Sequence, residues 1–313
     1  MTTEGIDPGS SRVAPAVTET TKTPDLGTYG IWRGAAGLPP ELGTAIEKLG
    51  FGTIWIGGSP PRADLRIAEK LLDATEHITV ATGIVNIWSS PAAEVAESYH
   101  RLEAAHPGRF LLGVGVGHPE ATGDYTKPYA SLVSYLDELD AAQVPESRRV
   151  LAALGPKVLK LSAARAAGAH PYLTTPPEHT AEAREILGPS KILAPPEHKV
   201  VLETDPEKAR AIGRPPAVAN PYLYLRNYTS NLERLGFAPE ELANEGGNDR
   251  VIDAWLRGGV PRSPSRIDFG SMSRRVPITL RSKHFPPKVI RSRPTKHWPP
   301  NSSTDRATLD LDK

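Results

Sequence analysis

Three short stretches hold the residue types that could do chemistry. In GVGVGHPE, residues 113–120, alternate glycines lead to a histidine. A phosphate-binding G-x-G-x-x-G loop would open a helix, whereas Gly113, Gly115 and Gly117 run through an apolar strand pattern and Pro119 follows. That spacing suits small residues in a crowded barrel interior, or a strand end where a flat ligand approaches the backbone. His118 then either points into the site or merely opens the loop. In TGIVN, residues 82–86, Gly83 interrupts a strongly apolar strand, which marks a bulge or a close approach to a ligand. Gly57 and Gly58 end GTIWIGG in the same manner, so three strand ends converge on small residues. In AGAHPYLTTPPEHT, residues 167–180, two histidines, a tyrosine and three threonines surround a helix start. Backbone amides there, with Thr174, Thr175 and Thr180, could hold a phosphate. The other reading makes the threonines caps and His170 a packed residue, and spacing alone leans slightly to it. The histidines fit no metal spacing such as H-E-x-x-H, and no metal is expected.

The elements that must position these residues alternate. TYGIWR, GTIWIGG, HITVATGIVNIW, RFLLGVGV, RRVLAAL, AHPYLT and KILAPPEHKVVLE read as seven strands. Between them ELGTAIEKLG, ADLRIAEKLLDATE, SPAAEVAESYHRLEAAHPG, PKVLKLSAARAAG and PPEHTAEAREILG show helical spacing. Ser89 or Ser90 would cap the third of these helices with Pro91 in its first turn, and Thr174 or Thr175 the fifth. Continuous apolar strands separated by helices indicate a parallel sheet buried on both faces. Seven in strict alternation favour a (β/α)8 TIM barrel of the α/β class without a visible eighth strand. From Arg214 to Ala254 two further helices are expected, which should lead into strand eight, and no such strand is legible after them.

Composition narrows the chemistry. The chain has 313 residues, 39% of them hydrophobic, enough for a substantial core. It has no cysteine, which excludes disulfides, cysteine-ligated zinc, iron–sulfur clusters and thiol catalysis. No apolar run is long enough to span a bilayer, and the first 27 residues, a polar lead expected to be disordered, lack the basic start and apolar block of a secretory signal. A cytoplasmic protein is expected. The net charge of +1 hides a split, with −8 on residues 1–254 and +9 on residues 255–313. A basic tail raises the thought of nucleic acid or a membrane surface, but this one neither interleaves aromatics nor repeats a motif. Neither partner is expected.

In combination, ELGTAIEKLGFGTIWIGG, TGIVN, RFLLGVGVGHPE and above all RRVLAALGPKVLKLSAARAAGAHPYLTTPPEHTAEAREILGP resemble the luciferase-like monooxygenase superfamily. The resemblance is greatest to its actinobacterial branch, which uses the deazaflavin coenzyme F420 in place of FMN, and it covers about residues 28–254. It implies a barrel with the cofactor ring across its C-terminal mouth and a third-strand bulge that often includes a non-proline cis peptide, here at Gly83–Ile84. The ring would then lie near Gly57, Gly83, Ile84, Gly117 and Tyr172, with the phosphate-bearing tail near Thr174, Thr175 and Thr180. Trp32 would face the substrate, and His118 or His170 would serve as general acid or base. A sugar-phosphate dehydrogenase of this superfamily ends strand two in Asp-His, whereas this chain has Gly57-Gly58. The implied function is hydride transfer between F420 and a small organic substrate. FMN is the alternative cofactor, a flavin-binding barrel that lost its chemistry the alternative class, and a homodimer is admitted.

Relatives end in a strand that reads roughly GADHVAIQ, where this chain reads VPITLRSK at residues 276–283. Regrouping the third base of each codon with the first two of the next lets this stretch encode Gly-Ala-Asp-His-Val-Ala-Ile-Gln. The same regrouping turns Trp255–Gly259 into Leu-Val-Ala-Trp-Gly. Residues 255–313, with their eight prolines, are therefore expected to be an out-of-frame, disordered tail, leaving the barrel of residues 28–254 incomplete.

Overall fold

Strand alternation sorts side chains to the two faces of one parallel sheet. The computed structural model describes residues 22–58, 63–121, 125–173, 176–194, 198–201, 205–213, 220–223, 225–243, 247–258 and 276–281. The chain divides into units 1–281 and 282–313, and every described residue lies in the first. The strands are β1 (Tyr29–Gly34), β2 (Thr53–Gly57), β3 (Thr79–Gly83), β4 (Val85–Asn86), β5 (Phe110–Gly115), β6 (Arg149–Leu151), β7 (Gly168–Ala169), β8 (Ile192–Leu193), β9 (His198–Val201), β10 (Leu256–Gly258) and β11 (Val276–Arg281). Their order is β10-β9-β11-β1-β2-β3-β5-β6-β7-β8, with β4 continuing β3 alongside β5. Every pair is parallel.

In β2, Ile54 and Ile56 face outward into a core shared with the helices, while Trp55 joins Ala81, Leu111, Val150, Ala167 and Ile192 inside the curl of the sheet. Two apolar layers, one within the sheet and one between sheet and helices, are what a (β/α) barrel buries. The helices Pro40–Lys48, Arg66–Asp73, Ala92–Ala105, Pro156–Arg165 and Pro177–Leu187 fall where the spacing places them. Pro128–Ala141 is an additional helix that the strand-led reading passes over, although Leu132, Tyr135, Leu136 and Leu139 form its buried stripe at helical spacing. Two caps differ from expectation. Pro91 itself is the N-cap of its helix, and Ser90 lends its carbonyl to the Tyr135 hydroxyl. Pro176 caps Pro177–Leu187 with no side-chain bond, because proline's fixed φ already suits a helix start. Of the expected strand AHPYLT only Ala169 is in a strand, the Gly168–Ala169 pair of β7, after which the chain turns into the site.

The barrel is incomplete. Among the described residues no ladder joins β8 to β9, and both edges of β9 are occupied, by β10 and β11. The tail is not wholly outside the sheet, which amends the expectation of a segment without regular structure. Val276–Arg281 lies between β1 and β9, with Tyr29 opposite Val276 and Ile278 opposite His198. The sequence permits this because Val276, Ile278 and Leu280 alternate at strand period. Pro277 sits before the pairing with β9 begins, so its missing N–H costs no bond on that side. Residues 259–275 and 282–313, like 1–21, lie outside the described residues.

Candidate active site

The C-terminal ends of β1, β2, β3, β5, β6 and β7 surround a cavity of about 490 Å³, within the size range of small-molecule sites. Gly57, Gly83 and Gly117 lie at this one end, as the sequence spacing predicts.

A bulge between β3 and β4 shapes the cavity floor. Ala81 pairs with Leu111 and Val85 with Val114, so residues 82–84 on one strand face only 112–113 on the other. The Thr82 hydroxyl replaces the lost ladder bonds: its Oγ1 donates to the Gly113 carbonyl at 2.9 Å and accepts from the Gly113 N–H at 2.8 Å. The Gly83–Ile84 peptide is cis, at the position the sequence resemblance implies. A Cβ on Gly83 would lie 3.1 Å from Trp32 Nε1 and 3.3 Å from His170 Nε2. Gly83 is thus the open floor between two polar ring edges.

His170, just past β7, is 1% exposed and stacks on Trp55 with ring centroids 4.2 Å apart and planes 12° off parallel. Neither of its ring nitrogens has a hydrogen-bond partner among the described residues. Burial pushes its pKa down to about 4, so the ring is neutral at pH 7. A buried polar group without a partner costs about 1–3 kcal/mol and persists where something else supplies the bond. The same depression has a consequence for stability. The unfolded histidine takes up a proton below pH ~6.5, while the folded one refuses it down to about pH 4. Stability should therefore fall by about 3 kcal/mol as pH drops through that window and then level off. Urea unfolding of the protein and of His170→Gln from pH 7.5 to 4 checks this, with the slope expected to flatten in the variant.

His118 follows β5 and lines the same cavity. Burial depresses its pKa, only partly opposed by a hydrogen bond that the ring donates to the Asn227 side chain and by the charge of Glu120. Its Nδ1 is buried with no partner among the described residues. Trp32, Ile84, Gly117 and Tyr172 also line the cavity, and Trp32 lies 5.0 Å from the Tyr172 ring, centroid to centroid. The structure therefore brings together seven of the sequence-predicted residues: Trp32, Gly83, Ile84, Gly117, His118, His170 and Tyr172.

Of the other four, the two that are described stand outside the cavity lining. Gly57 lies behind the Trp32 indole, where a Cβ would come within 2.2 Å of the ring. Its role is to let Trp32 lie flat, and Gly58 takes the cavity edge. Thr180 is buried on its helix and is not among the cavity's lining residues. Thr174 and Thr175 lie outside the described residues. Beside Thr180, His179 is fully buried and donates from Nε2 to the Leu154 carbonyl at 2.7 Å, assigning the proton to that nitrogen. It thus fixes the loop that leads into Pro156–Arg165.

That loop was missed in the sequence, although GPK carries a helix-start signal. Gly155 is the N-cap and Pro156 occupies the first turn, and Gly155, Lys157 and Val158 line the cavity. Lys157 Nζ sits 4.0 Å above the Tyr129 ring. An open helix N-terminus with a lysine at its first turn favours an anion. Tyr222, Asn227 and Tyr228 were missed as well, since they reach the cavity from helices Asn220–Leu223 and Arg226–Arg234, far away in sequence. Among the described residues no group of three or more His, Asp or Glu side chains could hold a metal, and no helix is long and apolar enough to cross a membrane.

Residues 38–189 match the profile of the luciferase-like monooxygenase family. With the parallel half-closed sheet and the bulged third strand, this defines the class as an incomplete TIM barrel of luciferase-like type. An F420-dependent secondary alcohol dehydrogenase, solved with an F420–acetone adduct, is similar with a TM-score of 0.55 at 15% identity, over 83% of this chain and 93% of its own. The coenzyme F420-dependent tetrahydromethanopterin reductase of Methanopyrus kandleri gives 0.53 at 16% identity, over 73% of this chain and 85% of its own. Monooxygenase RslO1 of Streptomyces bottropensis gives 0.50 at 16% identity, over 74% and 93%. At such identities the likeness is one of fold. No curated protein matches the chain by sequence.

Proposed function

We propose that this chain is an F420-dependent oxidoreductase of the luciferase-like superfamily, acting in the cytoplasm on a small organic substrate. The observation that carries the reading is His170, buried with both ring nitrogens unpartnered beside the open floor at Gly83. A flat, polar-edged ring system fits that place, with hydrogen-bonding atoms on its rim and a face that tolerates close approach to backbone. The residues fit the cofactor at its other end too, because Lys157 and the amides at the start of Pro156–Arg165 suit an anionic tail. This moves the tail from the expected Thr174–Thr180 segment to Gly155–Val158. The preference for F420 over FMN rests on the sequence block 148–189.

A bound deazaflavin would supply hydride transfer. The chain's own residues do the rest. Gly83 and Ile84 would back the ring, and neutral His170 would offer one donor and one acceptor at its edge. The cavity's tyrosines exclude water. His118, neutral and fixed by Asn227, holds at Nδ1 either a proton to give or a lone pair to receive one.

Equilibrium titration with F420 and with FMN, followed by absorbance, checks the assignment. F420 is expected to bind at least tenfold tighter, and Lys157→Ala to weaken it about tenfold, equivalent to about 1.4 kcal/mol. Tighter binding of FMN would reassign the cofactor, and binding of neither would overturn the reading.

A further inference from the structure

The cavity is chemically lopsided, and that asymmetry specifies what it receives besides a cofactor. One part of its lining is formed by Lys157, the Pro156–Arg165 N-terminus and the Tyr129 ring. In another part, aromatic rings follow one another in an arc. Trp32 meets Tyr172 at 5.0 Å, Tyr172 meets Tyr222 edge-on at 5.4 Å, Tyr222 meets Tyr228 edge-on at 5.1 Å, and Tyr228 meets His118 at 5.6 Å. These rings come from five places in the chain, so the arc is built by tertiary structure. Along it, no described lining residue is an aspartate, glutamate, arginine or lysine. Both histidines nearby are kept neutral by burial. A polar atom buried there without a described partner is His118 Nδ1, on a ring already fixed by Asn227.

We infer that the arc from Trp32 to Tyr228 is the substrate subsite, that it takes an uncharged ring-bearing alcohol or ketone, and that the substrate oxygen hydrogen-bonds His118 Nδ1. This rests on the reading of the cavity given above. Edge-to-face tyrosines offer apolar faces and positive ring edges to another ring. A carboxylate placed in the arc would lose its hydration with no described cation lining it, and an ammonium there would have no described carboxylate in the lining to pair with. With its other ring nitrogen donating to Asn227, neutral His118 accepts from an alcohol at Nδ1, and with the Asn227 amide turned over it donates there to a ketone oxygen. One nitrogen thus serves both directions of an oxidation–reduction.

The test uses the full-length protein and three probes of matched shape, acetophenone, benzoate and benzylammonium, read by quenching of tryptophan fluorescence and by calorimetry, with and without F420. Acetophenone is expected to bind at least tenfold tighter than either charged probe. Tyr222→Ala, at a half-buried position, is expected to weaken acetophenone about tenfold while F420 titrates as before. His118→Ala should remove the preference of acetophenone over ethylbenzene, an outcome that lost packing alone would not produce. Benzoate or benzylammonium binding as tightly as acetophenone would overturn the inference, and so would failure of all three to bind. If acetophenone binds as expected while F420 does not bind at all, the subsite stands and the cofactor reading fails.

Discussion

Gly168→Ala is expected to cost more than about 4 kcal/mol, the range reserved for changes that force backbone apart. A Cβ on Gly168 would lie 1.8 Å from the carbonyl oxygen of Ile192, 2.6 Å from its carbonyl carbon and 2.7 Å from its nitrogen. All three are backbone atoms of β8, and Gly168 pairs directly with Ile192. No rotamer change relieves such a contact, so β8 must withdraw. Withdrawal opens the β7–β8 ladder and strips one side of the strand that leads to His170, whose N–H bonds the Leu151 carbonyl of β6 on the other side. Urea unfolding measures the loss. Gly34→Ala serves as the control, because a Cβ there meets nothing within 4 Å, and it should stay within about 0.5 kcal/mol of the parent. A Gly168→Ala protein as stable as the control would mean that β7 and β8 do not approach as described.

Restoring the other reading frame after Ala254 is expected to have the second large effect. In the chain, β9 pairs with β10 on one side and β11 on the other, which leaves β8 without a ladder to β9 among the described residues. A strand reading GADHVAIQ in the place of Val276–Arg281, with its preceding helix, would cover apolar floor of the barrel. At about 25 cal/mol per Å², a few hundred Å² of apolar surface contributes several kcal/mol, comparable with the whole ~5–15 kcal/mol of a domain. The frame-restored protein should therefore unfold at markedly higher urea, resist proteolysis beyond Ala254, and bind F420 more tightly than the chain does. Sequencing the gene provides the first check. If its bases cannot encode the alternative strand, or the restored chain is no more stable, the tail has a function of its own.

Much of the site was legible before the fold. A glycine inside an apolar strand announced the bulge at Gly83, and glycines at the ends of parallel strands announced one mouth, because βα loops meet at one end of a barrel. His170 and Tyr172 were legible as candidates from the crowding of polar residues after β7. What escaped had two physical causes. Tyr222, Asn227 and Tyr228 sit on short helices whose packing over the mouth depends on contacts across about fifty or more residues of chain, and local periodicity says nothing of it. Lys157 and Gly155 were visible as a helix start, but the threonines near residue 175 offered a more conspicuous anion site. The helix Pro128–Ala141 was missed for a third reason. Its stripe of Leu132, Tyr135, Leu136 and Leu139 follows an N-cap, Lys127, that makes no side-chain cap bond, and no acidic residue marks its first turn. The tail shows the converse, since a segment that reads as out of frame keeps enough alternation at Val276, Ile278 and Leu280 to lie beside β1.

The central claim is that a flavin-type ring lies against Gly83 and His170, and F420 titration of the protein beside Gly83→Val tests it most directly. A side chain at that position would fill the space between Trp32 Nε1 and His170 Nε2. The protein is expected to show a saturable absorbance change with one F420 bound per chain, and Gly83→Val, with an unchanged circular dichroism spectrum, to lose at least a hundredfold in affinity. Equal affinity in the two proteins, or no binding to the parent, would contradict the account.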